Sequence, residues 1–131
     1  MRAAHALGVV LAATAALLFS GAQAGAARQK IDYQDKPIPQ WREGPVRYLI
    51  TKWEDSEYKS LRTEEDRARF IESFWNRRDP TPDSPGNEFR AEFWKRVRDA
   101  NRLYAETTSS EAWRTDMGKI HILMGPPDDI S

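Results

Sequence analysis

The sequence predicts an α+β domain that is predominantly helical, with about three helices and a small β element near its C-terminal end. Three amphipathic segments between residues 52 and 104 each follow a residue suited to capping a helix N-terminus. A run of alternating residues at 119–124 is instead typical of a half-buried strand. The chain contains no cysteine, so we expect packing rather than disulfides to hold this fold.

Residues 1–24 have the pattern of a signal peptide. Arg2 precedes an uncharged, apolar stretch at 6–19, and small residues ending at Ala24 follow it. This stretch is shorter than the roughly 20 residues that span a bilayer, which favours cleavage after Ala24. We therefore expect an exported domain that is either periplasmic or extracellular, in the latter case at the cell surface. Membrane attachment would require an uncleaved signal, since lipidation needs a cysteine.

The rest of the chain divides into a lead-in at 25–45 and a domain at 46–131. The lead-in is rich in proline and glycine and has little hydrophobic periodicity, so an extended path to the folded core is expected. Within it, Trp41 is the side chain expected to pack against the domain.

Two helices are predicted in the first half of the domain. Thr51 followed by Glu54 is a capping-box pattern, which predicts a helix at 52–61. Thr63 and the acidic residues after it predict the start of a second helix, because carboxylates favour the positive end of the helix dipole. The proline-rich stretch 79–86 should end that helix. Its apolar stripe consists of Phe70, Ile71, Phe74 and Trp75.

A third helix is predicted after Asn87, a suitable N-cap. Its apolar residues recur three and four positions apart and so form one continuous face. A polar loop is expected after this helix, at 106–111. The apolar face consists of Phe89, Phe93, Val97, Ala100 and Tyr104.

The predicted strand at 119–124 places Ile120, Ile122 and Met124 on one side and needs a hydrogen-bonded partner strand. Residues 46–51 are the candidate partner because their apolar residues alternate, although the same stretch also matches a helical stripe. If that stretch is helical, the partner strand would lie beyond the last residue. The chain would then be a C-terminally truncated piece of a longer protein.

Composition narrows the range of partners and of chemistry. Twenty basic and twenty acidic side chains give a formal net charge of zero, which argues against a nucleic-acid partner. The absence of cysteine removes thiolate nucleophiles and thiolate metal ligands. Once His5 is removed with the signal peptide, His121 is the one remaining histidine. No metal site and no cofactor are predicted from such a set.

Four separated motifs resemble a known family when taken in order. They are FWNRRDPTP at 74–82, AWRTD at 112–116, GKIHIL at 118–123 and GPPD at 125–128. Together they are similar to the GWxTD domain of bacterial exported proteins, over roughly residues 45–130. The resemblance implies a domain of unknown function that often lies within longer exported proteins.

One position departs from that family's motif. Ala112 stands where the first glycine of the name is expected. If relatives need a positive φ angle at this position, this chain must form the turn in another way.

The residues in and around the motifs are candidates for a binding or a structural role. If the loop after Arg78 meets the turn before Lys119, they would form a polar pocket for a ligand or peptide. In the structural alternative, Asp116 accepts backbone amides to hold the turn, and the arginines form ion pairs. The candidates are Trp75, Arg78, Asp79, Trp113, Arg114, Thr115, Asp116, His121, Gly125 and Asp128.

The sequence favours an uncharacterised exported domain that acts as a protein-interaction or structural module. Its partner would be another exported protein or an adjacent domain. The alternative is a carbohydrate- or peptide-binding module with exposed tryptophans as stacking platforms. A third hypothesis is a hydrolase in which His121 acts with Asp79 and Asp116. No catalytic residue is assigned and an enzyme is not favoured, because no serine lies in a nucleophile-elbow context.

Overall fold

A computed structural model of the chain describes residues 30–105 and 111–128. The chain divides after Lys30 into two units, and all elements below belong to the second, Ile31–Ser131. The expected signal peptide and most of the expected polar loop lie outside the described residues. Within these described ranges the elements are four α-helices, α1 (Lys52–Ser60), α2 (Glu64–Asn76), α3 (Glu88–Leu103) and α4 (Asp116–Met124), and three short 3-10 helices, Pro39–Glu43, Pro45–Tyr48 and Ala112–Arg114.

The caps predicted for the first three helices are confirmed. Thr51 accepts a hydrogen bond from the Glu54 amide, and the Glu54 carboxylate accepts one from the Thr51 amide, completing the capping box of α1. The Thr63 hydroxyl accepts from the Asp66 amide at the start of α2. Asn87 caps α3 through the Arg90 amide. Each cap satisfies amides that have no partner within the helix.

The predicted β element is wrong, because residues 119–124 belong to α4. No strand occurs in residues 30–105 and 111–128. The buried positions of this segment lie three, four and seven residues apart, as on one helix face. Of the three buried residues within the helix, Gly118 and His121 are not large apolar residues, so the pattern of apolar residues does not indicate the helical period. The alternating isoleucines indicate a strand instead. These buried residues are Gly118, His121, Ile122 and, just past the helix end, Gly125.

The candidate partner strand at 46–51 is not a strand either. Pro45–Tyr48 is a 3-10 helix, and the Ile50 amide donates to the Val46 carbonyl. Val46 is fully buried and joins the hydrophobic core. The helical alternative for residues 46–51 therefore agrees better with the structure than the strand does.

An aromatic core holds the helices together. The ring of Trp41 lies 5.1 Å from those of Tyr58 and Phe74, which belong to α1 and α2. Trp75 of α2 contacts Phe93 of α3 at 5.4 Å. Tyr33 is also buried, so residues of the expected lead-in contribute to this core. Edge-to-face and tilted ring pairs of this kind stabilise a core beyond the area they bury.

Candidate functional site

The segment 112–116 forms the N-terminal cap of α4. The Ala112 carbonyl accepts hydrogen bonds from both the amide and the hydroxyl of Thr115, at 3.1 and 2.7 Å. The Thr115 hydroxyl in turn accepts from the Gly118 amide at 3.0 Å. This threonine is the N-cap residue of α4, and Asp116 follows it in the first turn. The motif therefore fixes where α4 begins and how it leaves the preceding 3-10 helix.

Trp113 connects that cap to two other elements. Its amide donates to Asn101 of α3 at 3.0 Å, and its carbonyl accepts from the Tyr48 hydroxyl at 2.9 Å. The guanidinium groups of Arg47 and Arg114 lie 5.0 and 4.5 Å from the centroid of its buried ring. Burial raises the pKa of Tyr48, so its hydroxyl keeps the proton that it donates. Trp113 is thus a structural anchor in this structure.

Close packing explains the small residues of the motif. A Cβ added at Gly118 would lie 2.8 Å from the Trp113 Cα and closer still to the Ala112 carbonyl oxygen. Among the described residues, positive φ angles occur at Asp35, Gly86 and Gly125. Ala112 is therefore outside the left-handed region, and its methyl group is fully buried in the 3-10 helix. The turn accepts alanine without backbone strain.

Gly125 ends α4 with a φ of 87°. The guanidinium of Arg96 covers it, so that an added Cβ would lie 3.2 Å from Nη2. Arg96 also donates to the Ile122 carbonyl at 3.3 Å and pairs with Glu92 at 3.0 Å. A cation at this position favours the negative end of the helix dipole. Gly125 is thus part of the α3 to α4 contact.

Arg78 forms an ion pair, as the structural alternative expects, and its partner is the buried Glu54, which the sequence did not identify as a partner. Its two terminal nitrogens donate to both carboxylate oxygens of Glu54, at 3.0 and 2.9 Å, and Arg77 adds a third bond at 2.9 Å. Burial raises the pKa of Glu54, but hydrogen bonds from Arg78, the Thr51 amide and Arg77 outweigh it and lower the pKa to about 2. The sequence pattern predicts the capping role of Glu54 but not its ion pairs with Arg77 and Arg78.

The polar pocket expected between the two motifs does not form through direct contacts. Besides Glu54, Arg78 donates to the Phe74 and Leu49 carbonyls, and Asp79 accepts from the Thr81 amide. In the described residues, none of the polar contacts of Arg78 or Asp79 reaches 112–116.

The three residues of the hydrolase hypothesis are not brought together. His121 is buried on α4, and its Nδ1 lies 3.4 Å from the Tyr104 hydroxyl. No ion pair joins this imidazole to a carboxylate in the part of the chain that the structure describes. Asp116 is exposed at the other end of α4, and Asp79 holds the loop after α2. Asp128 is exposed beyond the end of α4.

A second carboxylate, that of Asp35, is largely shielded from solvent, and no local sequence pattern predicts its contacts. Its side chain is 11% exposed. It accepts hydrogen bonds from the indole nitrogens of Trp41, Trp75 and Trp94 and from Arg90, at 3.4, 2.7, 2.9 and 2.8 Å. All four donors are thereby occupied within the domain. Trp75 accordingly has a structural role, as its place on the apolar stripe of α2 indicated.

The outer side of α4 is apolar and exposed. We call this surface the docking face, and its side chains are Met117 (53% exposed), Ile120 (60%), Leu123 (40%) and Met124 (79%). Leu123 also lines a neighbouring groove of about 340 Å³ between α3, α4 and the loop after α2. The other apolar residues of this groove are Leu49, Pro80, Phe89, Phe93 and Ile122.

The tryptophans do not form a stacking platform for sugars. Four of the five are buried, whereas Trp53 on α1 is 67% exposed. A platform requires at least two exposed rings at the spacing of sugar units. Among the described residues, Trp53 is therefore the only tryptophan whose ring could stack on a sugar.

The described residues contain neither a cluster suited to a metal ion nor a helix suited to crossing a membrane. Across 30–105 and 111–128, no three His, Cys, Asp or Glu side chains are grouped so that they could hold a metal ion. No α-helix within these ranges has both the length and the apolar character needed to cross a membrane.

Comparison with known proteins gives one match. A family model described as the GWxTD domain matches residues 23–131. No curated protein and no solved structure matches the chain. Because the family match covers most of the chain, including the 112–116 cap and α4, this protein belongs to the GWxTD domain family.

Proposed function

We propose that this domain is an exported protein-interaction module that binds its partner through the docking face and the adjoining groove. The observation that carries the proposal is the exposure of four large apolar side chains on one nine-residue helix. Monomeric soluble proteins rarely expose contiguous apolar patches larger than a few hundred Å², and patches of that size mark interaction sites. Two of the four are methionines, whose flexible side chains adapt to a partner's surface.

The family motif supports this proposal through what it positions. Thr115 begins α4, Gly118 allows it to approach the 3-10 helix, and Gly125 ends it. Nearly all of these contacts involve the inner side of α4. The Thr115 hydroxyl is occupied in holding the start of the helix in place, and the outer side of the helix remains available to a partner.

The groove favours an amphipathic helix with a basic residue beside its apolar anchors. Glu88 and Glu92 line the groove together with Arg96. Arg96 pairs with Glu92, whereas Glu88 accepts hydrogen bonds from the hydroxyls of Thr81 and Ser84. The hydrogen bond from Thr81 lowers the pKa of Glu88, so this carboxylate is ionised at neutral pH. A lysine or arginine on the partner would complement this charge, while the partner's apolar face would lie in the groove.

Two synthetic helical peptides with the same leucine pattern test the proposal, one with lysines and one with glutamates on the polar side. Isothermal titration calorimetry measures both affinities, and we expect the lysine peptide to bind more tightly than the glutamate peptide. Glu88→Gln should reduce this difference in affinity. The double variant Ile120→Ser/Leu123→Ser should weaken binding by about tenfold or more, because each change removes an apolar anchor.

The matched control is Trp53→Ser, which removes an exposed apolar side chain from α1 instead of α4. It should leave peptide binding unchanged. If neither peptide binds, or if the control weakens binding as much as the double variant does, the docking face is not an interaction site.

The exported state is part of the same proposal. It rests on the order of Arg2, the apolar stretch and Ala24 in the sequence. N-terminal sequencing of the protein recovered from expressing bacteria should give Gly25 as the first residue. A mature protein that still begins with residues 1–24 would contradict cleavage.

A further inference from the structure

The sulfur atoms of this protein are concentrated on the docking face. The chain has three methionines and no cysteine, and one of the methionines is Met1. The other two, Met117 and Met124, are seven positions apart on α4 and therefore lie on the same side of the helix. Both are largely exposed, at 53% and 79%. An oxidant in solution can thus reach both thioethers without any opening of the fold.

We propose that Met117 and Met124 form an oxidation switch that turns docking off in the presence of peroxide. The inference rests on the proposed function, since it concerns the same face. A thioether sulfur attacks one oxygen of hydrogen peroxide, the O–O bond breaks, and the departing hydroxide takes up a proton to leave as water. The sulfur is oxidised by two electrons to the sulfoxide, and the peroxide is reduced by two.

The physical consequence is a change in polarity where a partner would bind. A sulfoxide is a strong hydrogen-bond acceptor that prefers water, whereas the thioether is apolar. Two sulfoxides would flank Ile120 on the docking face, so burying them against an apolar anchor would leave each S=O group without its hydrogen bonds.

The fold itself should be insensitive to this reaction. The residues that hold α4 are Gly118, His121 and Ile122 on its inner side, with Thr115 at its start. None of them contains sulfur, and neither methionine belongs to the hydrophobic core. A change in binding without a change in stability is therefore the signature of the switch.

The first measurement is independent of any partner. The full chain is treated with hydrogen peroxide, and the oxygen added at each methionine is located by peptide mass spectrometry. Met117 and Met124 should oxidise at a rate close to that of a methionine in an unstructured peptide, with no fall in melting temperature. Protection of both residues, or loss of the fold on oxidation, would overturn the switch.

The second measurement uses the lysine peptide described above. Oxidation should weaken its binding by about fivefold or more, and methionine sulfoxide reductases should restore it. Met117→Leu/Met124→Leu keeps an apolar face without sulfur, so peroxide should leave its binding unchanged, while a methionine-containing reference peptide in the same reaction reports that the oxidant was active. Equal binding before and after oxidation of the natural chain overturns the switch alone, whereas no binding by the unoxidised chain overturns the proposed function with it.

Discussion

The carboxylate of Asp35 accepts a hydrogen bond of 2.7 Å from the indole nitrogen of Trp75, forty residues further along the chain. The same carboxylate accepts from Trp94 on α3 and from Trp41 in the first 3-10 helix. Arg90 supplies the opposite charge at 2.8 Å. One anion therefore joins the N-terminal segment to three elements of the aromatic core, and its partners supply the hydrogen bonds that a buried charge needs.

Replacing this anion should destabilise the domain. Asp35→Asn preserves the shape of the side chain and tolerates the positive φ of 54° at this position. The substitution removes the charge and replaces one carboxylate oxygen, an acceptor, with an NH2 group, a donor that would face the indole N–H donors. We therefore expect a loss of about 2–4 kcal/mol in the free energy of unfolding. Urea denaturation monitored by tryptophan fluorescence measures it. Asp32→Asn, at an exposed carboxylate nearby, should change the stability by no more than about 0.5 kcal/mol.

Asp35 shows why part of the core could not be predicted from the sequence. Helix stripes and caps depend on residues a few positions apart, and these were predicted for α1, α2 and α3. The partners of Asp35 lie 6, 40, 55 and 59 positions away, and no local spacing relates them. The sequence indicates such an acceptor only through its five tryptophans, because each indole N–H that is buried in a core requires a hydrogen-bond acceptor.

Glu54 should make the stability depend on pH in the acid range. Its folded pKa of about 2 lies below the ordinary value of 4.5, so the unfolded chain binds the proton more tightly. The stabilisation is therefore fully present above about pH 4.5 and is lost as the pH falls towards about 2. We expect a contribution on the order of 2 kcal/mol, reduced by the solvent around Arg77.

The free energy of unfolding at pH 6 and at pH 3 measures this contribution. In Glu54→Gln the carboxylate is absent, so the difference in stability between the two pH values should shrink by the part of that contribution that is already lost at pH 3, about 1 kcal/mol. A variant with the same difference as the natural chain would show that other carboxylates cause the pH dependence.

The cap of α4 should depend on Thr115 far more than on Asp116. Thr115 makes both hydroxyl hydrogen bonds of the cap, whereas Asp116 is exposed and acts only through the helix dipole. Thr115→Val should lower the free energy of unfolding by about 1–2 kcal/mol, and Asp116→Asn by about 0.3–1 kcal/mol. Thermal denaturation of the two variants and of Thr115→Ser, which keeps the hydroxyl, measures the order. A larger effect of Asp116→Asn would restore the sequence-based idea that this carboxylate holds the turn.

The fourth helix also shows the limit of reading periodicity from apolar residues. Its inner side contains a glycine and a histidine, and its outer side contains isoleucine and methionine. Apart from the buried Ile122, the segment therefore has its large apolar residues where a folded domain normally has polar ones. Thr115 followed by Asp116 is a local signal for a helix start that the sequence-based prediction did not use, because the alternation that follows is typical of a strand.

Gly118→Ala offers a test in which two physical effects have opposite signs. Alanine favours a helix over glycine by about 1 kcal/mol, so propensity alone predicts a more stable protein. The added methyl group would instead meet the backbone of Ala112 and Trp113, which cannot move aside as a flexible side chain would. We expect the steric effect to win, with a net loss of about 1–3 kcal/mol as α4 is pushed away from the 3-10 helix. Ser56→Ala, on the exposed side of α1, is the matched control and should change stability by less than about 0.5 kcal/mol. A stabilised Gly118→Ala protein would mean that α4 does not pack against Ala112 as described, and the position of the docking face would have to be determined again.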